Sequence, residues 1–364
     1  MASLADNSAQ QKILYPGIKV LVVGLGQTGL AAVKFFRKCG ARVSVSESTP
    51  KSQINVKTLE ILKKHGIYLE SGSHTVDFFQ SADLIFVSPG IPLNLEPLAA
   101  ARSLSIPVVG EMAIVAQYIK TPVVAVTGTN GKTTVTTLLG ELFKACGKKV
   151  FVGGNIGTPL FEYLNGPQDA DIVVAEISSF QLYTGGDTKG LHPEVALLLN
   201  ITPDHLERYA SFDAYAAAKF KIFAAHDNGD IAIMNADDTE IMNRQQLWPR
   251  NRKYFFGKKL NGLSGAAMHE KIIRLSESSQ ADDSLLLPAE SYDLTGTSLE
   301  TSPNLQNAAA AILAARLLGC SSSDIKHGLR QFSPLAHRMS LLTEINGVKY
   351  YDDSKATNVG AESS

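Results

Sequence analysis

The sequence is short of several things, and each shortage excludes a class of protein. It has 3 cysteines and 1 tryptophan in 364 residues. Three cysteines cannot build the disulfide framework of a small secreted domain. Cys39, Cys146 and Cys320 each lie beside a glycine near the end of a helical pattern (KCGA, ACGK, LGCS), and they read as small, half-buried packing residues. Net charge is also nearly absent, since 34 basic residues face 35 acidic ones. No global field is available to hold a polyanion, so nucleic acid is not an expected partner. Nowhere do ~18 apolar residues run together, and the opening MASLADNSAQQKILY has no apolar core of signal-peptide length. The expectation is a soluble, cytoplasmic monomer with no membrane partner. Charged content of 19% is too low for a disordered chain, and hydrophobic content of 45% is ordinary for a folded one.

The length suggests two or three domains. Residues 18–24, IKVLVVG, form an apolar, β-rich run that ends in GLGQTG. A helical pattern (LAAVKFFRKC) and a second strand (ARVSVSE) follow, which makes a βαβ unit with Gly24, Gly26 and Gly29 at GxGxxG spacing. The alternation continues with a helix near 55–65, a strand at 83–88 and the short strand IPVVG, closing a doubly wound, Rossmann-like domain over 1–120. GLGQTG suits an NAD(P) site and an oxidoreductase, but it suits equally any ligand whose diphosphate rests on a helix N-terminus. Glu47, beyond the second strand, could accept hydrogen bonds from a ribose.

A second α/β unit opens at PVVAVTG and spans 121–334. Its strands read as 122–127, 149–152, 171–176, 194–200 and 230–235, with helices near 132–146, 212–226, 304–319 and 323–331. Alternation argues for a mostly parallel sheet. From 250 to 302 the pattern breaks into short strands and turns, read as a small antiparallel addition. After Pro334, two strand-like runs meet at Asn346-Gly347, a hairpin signal. Residues 335–364 are too few to bury a core and read as the truncated start of a third domain.

The chemistry concentrates in the second unit. TGTNGKTT follows a buried-looking strand and opens a helix, as a phosphate-binding loop does. Amides of Gly128, Thr129, Asn130, Gly131, Lys132, Thr133 and Thr134 would cradle phosphate oxygens. Lys132 would reach the terminal phosphates, and the Thr133 hydroxyl would meet Mg²⁺. The strict GxxxxGK[ST] pattern wants glycine where this chain has Val126, so the loop is shorter than usual. Glu176 ends the strand DIVVAE and could be a metal ligand or an ordinary loop carboxylate. His205, which alone reads as structural, falls at the same edge of the sheet. On the helix FDAYAAAKFKIF, Phe212, Tyr215, Ala216, Ile222 and Phe223 lie within about 60° of Lys219, whereas Lys221 points away. Two readings of Lys219 stay open: a stem snorkelling past its neighbours, or an amine aimed into the site, where desolvation lowers its pKa and makes it reactive.

Together GLGQTG, SPGIP, TGTNGKTT, GGNIGTP, EISSFQL, NITPDHLERY, AAKFKIF, NADD, NLQNAAAA, HRMS and DDSKATNVG resemble the Mur ligases of peptidoglycan synthesis, from about residue 17 onward. The run EISSFQL beside a GxGxxG domain points to the branch that adds D-glutamate. Relatives adding other amino acids, and folylpolyglutamate synthases, share the phosphate loop but not that run. The resemblance implies an ATP-dependent ligase joining D-glutamate to UDP-N-acetylmuramoyl-L-alanine through an acyl phosphate.

Under it Gly24, Gly26, Gln27, Thr28, Gly29, Glu47 and Ser48 would hold the UDP end, with no NAD. Asn155, Ser178 and Gln181 would meet the muramoyl-alanine portion, and Thr357 the D-glutamate side. Asn304, Asn307, Arg338, Asp353 and Lys355 would contact ATP. Thr133 and Glu176 would hold one Mg²⁺, and His205 with a Lys219 carbamylated by CO₂ a second. Lys132, His205 and Lys219 would carry the catalysis. The chain departs from the family at Pro303, where histidine is frequent, and in ending soon after the hairpin. The 364 residues are therefore expected to bind the UDP substrate but to ligate poorly.

Overall fold

The computed structural model describes residues 13–184, 190–250, 252–276, 287–333, 340–345 and 348–352. The chain divides into two compact units. The first is Met1–Ile119 with two short segments, Leu164–Gly166 and Thr184–Asp187.

In the first unit β1 (Lys19–Val23), β2 (Arg42–Glu47), β3 (Tyr68–Ser71), β4 (Leu84–Val87) and β5 (Val108–Val109) form a parallel sheet in the order β3-β2-β1-β4-β5. The apolar runs of β1 and β4 are covered on both faces, as parallel strands require: Val20 to Val23 and Leu84 to Phe86 are fully buried. Strand order reverses beside β1, so the crevice at its carboxyl end opens over Gly24. The edge strand β3 escapes a reading by apolar runs, because YLES is half exposed and carries no such run.

The second unit holds β6 (Val123–Thr127), β7 (Val150–Gly154), β8 (Ile172–Glu176), β9 (Val195–Leu198), β10 (Ile231–Asn235), β11 (Arg252–Gly257), β12 (Gly265–His269), β13 (Ile272–Ser276) and β14 (Glu290–Asp293). They make one sheet in the order β14-β13-β12-β11-β10-β9-β6-β8-β7. The stretch expected as an antiparallel addition is only partly so. β11 and β12 extend the parallel sheet, and only β13 and β14 run antiparallel. The connection from β11 to β12 (258–264) contains no helix, so the strand–helix alternation that marks parallel strands is missing from the sequence there. The helix expected to reach 226 ends at Phe220 and passes into a single tight turn, Lys221–Phe223.

The phosphate-loop helix, Lys132–Ala145, packs along helix Asn304–Leu317. The latter is buried on every side: Ala308, Ala309, Ala310, Ala311, Ala314 and Ala315 have no exposed surface. At the far end of this pair Cys146 and Cys320 are joined by a disulfide, their Cα atoms 5.7 Å apart. This corrects their reading as unpaired packing residues. They stand 174 positions apart, and only the packing of two helix ends brings them together. Cys39 is not part of a disulfide among the described residues and is half-buried.

A third element pairs β15 (Ser340–Ile345) with β16 (Val348–Asp352) antiparallel, Ile345 opposite Val348. Among the described residues no helix is long and apolar enough to cross a membrane.

Candidate functional site

β6 emerges from the middle of the second sheet, between β8 and β9, and its five residues VVAVT are all buried. The chain then turns through Gly128–Gly131 and enters helix Lys132–Ala145. Gly131 caps that helix at φ +81°, and a Cβ there would fall 2.3 Å from Asn307 Oδ1, so both conformation and space require glycine. Asn200, just past β9, clamps the loop. Its carbonyl accepts the Thr129 N–H at 3.0 Å, its Oδ1 accepts the Asn130 N–H at 2.8 Å, and its Nδ2 donates to the Asn130 carbonyl at 3.1 Å. Sequence reasoning passed over Asn200. The available signal was its place as the last residue of VALLLN, the same strand-end position that singled out Glu176.

Around this loop the expected residues sort into groups. Thr133 Oγ1 donates to Glu176 Oε2 at 2.8 Å, and Asn155 Nδ2 donates to Glu176 Oε1 at 2.8 Å. Thr133, Glu176 and Asn155 therefore meet, the first two buried. A hydroxyl beside a carboxylate is an all-oxygen donor set, which fits a hard cation such as Mg²⁺. Lys132 Nζ donates to the carbonyls of Gly128 and Thr129 at 2.9 and 2.7 Å.

Lys219 is only 2% exposed, and its Nζ donates to the Gly128 carbonyl at 2.7 Å, whereas Lys221 is exposed. Burial above all, with the nearby Lys132 ammonium adding to it, drives the Lys219 pKa well below the usual lysine range, and Asp204 opposes this.

His205 is not joined to Lys219 by any hydrogen bond among the described residues. It adopts a left-handed backbone at φ +52°, its ring lies 5.1 Å from that of Phe180, and its nitrogens face Asp204 and Glu207 at 3.7 and 3.9 Å. Ser178 and Gln181 form a reciprocal cap on the short helix Ser179–Tyr183: the Gln181 side-chain oxygen accepts the Ser178 N–H, and the Ser178 hydroxyl accepts the Gln181 N–H. The pair thus has structural work independent of any ligand. Asn307 stands against Gly131, while the Asn304 side chain donates to the Ser298 carbonyl at 3.3 Å. Arg338, Asp353, Lys355 and Thr357 lie outside the described residues.

In the first unit, Gly24 turns at φ +92°, and a Cβ on Gly29 would strike the Gly24 carbonyl oxygen at 1.9 Å. Helix Gln27–Lys38 starts at Gly26 with no side-chain cap, leaving the N-terminal amides at Gln27 and Thr28 free of one. Glu47 ties this turn to the end of β2. It accepts the Leu25 N–H at 2.7 Å through Oε2, and through Oε1 the Thr49 N–H and the Ser48 hydroxyl. Partial burial raises its pKa, but the backbone donors of Thr49 and Leu25 outweigh that and hold it below the usual range.

The sequence profile of the Mur ligase middle domain matches residues 126–315, and that of a MurD-like Mur ligase N-terminal domain matches residues 18–110. The chain belongs to the Mur ligase family. It is 41% identical to the UDP-N-acetylmuramoylalanine--D-glutamate ligase of Acidobacterium capsulatum, covering 95% of this chain and 73% of that one. It is 40% identical to the ligase of the same name from Desulfosudis oleivorans, covering 94% and 72%. Among solved Mur ligase structures, the fold is shared with UDP-N-acetylmuramate:L-alanyl-gamma-D-glutamyl-meso-diaminopimelate ligase from Neisseria meningitides, at TM-score 0.58, 17% identity and coverage of 88% of this chain and 99% of that one. It is shared too with the UDP-N-acetylmuramate-alanine ligase of Thermotoga maritima, at TM-score 0.52, 21% identity and coverage of 92% and 74%.

Proposed function

We propose that the protein is an ATP-dependent ligase that joins D-glutamate to the alanyl carboxylate of UDP-N-acetylmuramoyl-L-alanine. The observation that carries this reading is the buried Lys219 amine held 2.7 Å from the Gly128 carbonyl, in the same phosphate loop that leads into Thr133 and its pairing with Glu176. Such an arrangement serves phosphoryl transfer and has no use in hydride transfer.

A carboxylate resists an amine because its charge repels nucleophiles and oxide is a poor leaving group. ATP removes both obstacles. The alanyl carboxylate attacks the γ-phosphate, the bond to ADP breaks, and an acyl phosphate forms. The D-glutamate amine then adds to the activated carbonyl, and inorganic phosphate leaves from the tetrahedral intermediate with the amide formed. The chain supplies position and charge rather than a nucleophile. Asn200 holds the Thr129 and Asn130 amides, so the phosphates fall to the remaining amides of the loop toward Thr134, and Lys132 exchanges its loop carbonyls for phosphate oxygens. Asn307 sets Gly131 from behind. The turn from Gly24 to Gly29 takes the diphosphate of the UDP end at a helix N-terminus, with Glu47 tying that turn to the end of β2 through the Leu25 N–H.

Thr133 and Glu176 would hold Mg²⁺, which supplies neutralising charge to the transferring phosphoryl group. Lys219 is suited to carry a carbamate: burial disfavours its charged form, and a neutral amine can take up CO₂ and become an anion, which with His205 would offer a second cation site. Calorimetry with UDP-N-acetylmuramoyl-L-alanine, and ADP release with and without D-glutamate, test the reading. Substrate binding and D-glutamate-dependent ADP release are expected. ADP release indifferent to D-glutamate would reject it.

A further inference from the structure

Tyr215 takes no part in the chemistry just described, yet it is placed where three elements of the site meet. It lies in helix Phe212–Phe220, one turn before Lys219, and is 1% exposed. Its hydroxyl is 3.0 Å from Thr129 Oγ1 in the phosphate loop. That threonine hydroxyl also faces the Thr202 carbonyl at 3.2 Å and accepts the Thr202 N–H at 3.0 Å. Either hydroxyl can donate in the Thr129–Tyr215 hydrogen bond, the threonine proton serving Tyr215 or the Thr202 carbonyl. Burial, foremost, holds the phenol well above the ordinary tyrosine range, which keeps it a neutral hydroxyl able to play either part.

The ring has contacts of its own. Lys219 Nζ lies 4.7 Å from its centroid, and Tyr209 meets it edge-on at 5.2 Å. Tyr209 closes the short turn Leu206–Arg208 that follows His205. Thr202, at the other end of the polar chain, lies three residues before His205. One side chain therefore touches the phosphate loop, braces the Lys219 amine and supports the segment that presents His205.

We infer that Tyr215 is a positioning residue for the nucleotide, its hydroxyl setting the phosphate loop through Thr129 and its ring fixing the Lys219 amine. The inference rests on the ligase reading only for the identity of the nucleotide. Tyr215→Phe deletes one oxygen and keeps the ring, so the polar link is cut while the packing against Lys219 and Tyr209 stays. Thr129→Val cuts the same link from the other side.

The experiment measures affinity for ADP with magnesium by calorimetry on the full chain, for each variant and for the pair together. Affinity for UDP-N-acetylmuramoyl-L-alanine and the thermal midpoint are recorded alongside. Each single variant is expected to weaken ADP by about 5-fold. Tyr215→Phe added to Thr129→Val should bring no further loss, because both remove one shared interaction. Affinity for the UDP substrate should not change. Unchanged ADP affinity, additive losses, or an equal loss of UDP-substrate affinity would overturn the inference. Failure of the unsubstituted protein to bind ADP would overturn it together with the phosphate-site reading. ADP binding without D-glutamate-dependent turnover would overturn the ligase reading alone.

Discussion

Lys132 and Lys219 donate to one and the same acceptor, the Gly128 carbonyl oxygen, at 2.9 and 2.7 Å. Two ammonium groups on a single carbonyl repel each other, and the buried one yields its charge more readily. A neutral, buried amine is reactive toward CO₂. Lys219→Ala is therefore expected to lower ADP release by at least ~100-fold. Added short-chain carboxylates should restore part of it by supplying the missing anion. Turnover undiminished by the substitution would remove Lys219 from the mechanism.

Gly131 makes a second prediction. Its φ of +81° and the Asn307 oxygen 2.3 Å from a would-be Cβ penalise alanine twice. Gly131→Ala should cost about 1–3 kcal/mol in denaturant unfolding and weaken nucleotide binding at least ~10-fold. Pairing it with Asn307→Ala frees the space but not the backbone, so stability should recover only in part. Full recovery would show that the left-handed conformation carries no strain.

The two units should fail separately. Gly29→Ala drives a methyl into the backbone oxygen of Gly24, which lies 1.9 Å from the ideal Cβ position and belongs to no flexible side chain. Affinity for the UDP substrate should fall at least ~10-fold while ADP affinity holds. A matching loss of both ligands, read by calorimetry, would contradict the assignment of the first unit to the UDP end.

Glu290 ties β14 to helix Asn304–Leu317 through Arg316, whose Nε and Nη2 donate to its two oxygens at 3.0 and 3.1 Å. Those hydrogen bonds, more than any other cause, hold its carboxyl below the usual glutamate value of 4.5. A depressed folded-state pKa stabilises above the unfolded value and loses that contribution as pH falls through the folded one. Stability should thus decline in acid below the ordinary glutamate range, and Glu290→Gln should flatten that part of the curve. Urea midpoints measured from neutral pH into that range check it, and identical curves for both proteins would refute it.

The Cys146–Cys320 bond closes a loop of 174 residues. In the chain-entropy limit a link of that span stabilises by about 5 kcal/mol. A reducing agent should lower the thermal midpoint by several degrees, and the Cys146→Ala, Cys320→Ala double variant should show no such difference.

Strands covered on both faces announced themselves as apolar runs, which is why β1, β4, β6, β8, β9 and β10 were legible. The edge strand β3 and the helix-free step from β11 to β12 were not, because the signals for a strand and for parallel pairing are burial and alternation, and each lacks one. In the site, Thr133 and Glu176 could be anticipated from strand ends, and the depth of Lys219 from the helical period. Asn200 stands at a strand end and Tyr215 on the buried face of the Lys219 helix, so both positions were visible, but their hydrogen bonds to the loop depend on segments far apart in sequence, which no local pattern encodes. The Cys146–Cys320 pairing depends on where two helices finish, which local pattern does not encode.

The all-round burial of helix Asn304–Leu317 sets a limit on how this protein can vary. Alanine is ordinarily the residue that tolerates replacement, yet here a row of methyl groups acts as a shim whose thickness fixes how near the loop-bearing helix sits. A close-packed wall has no slack to absorb one extra carbon without displacing its neighbour. The plainest stretch of the chain, chemically, is thereby among the least free to drift.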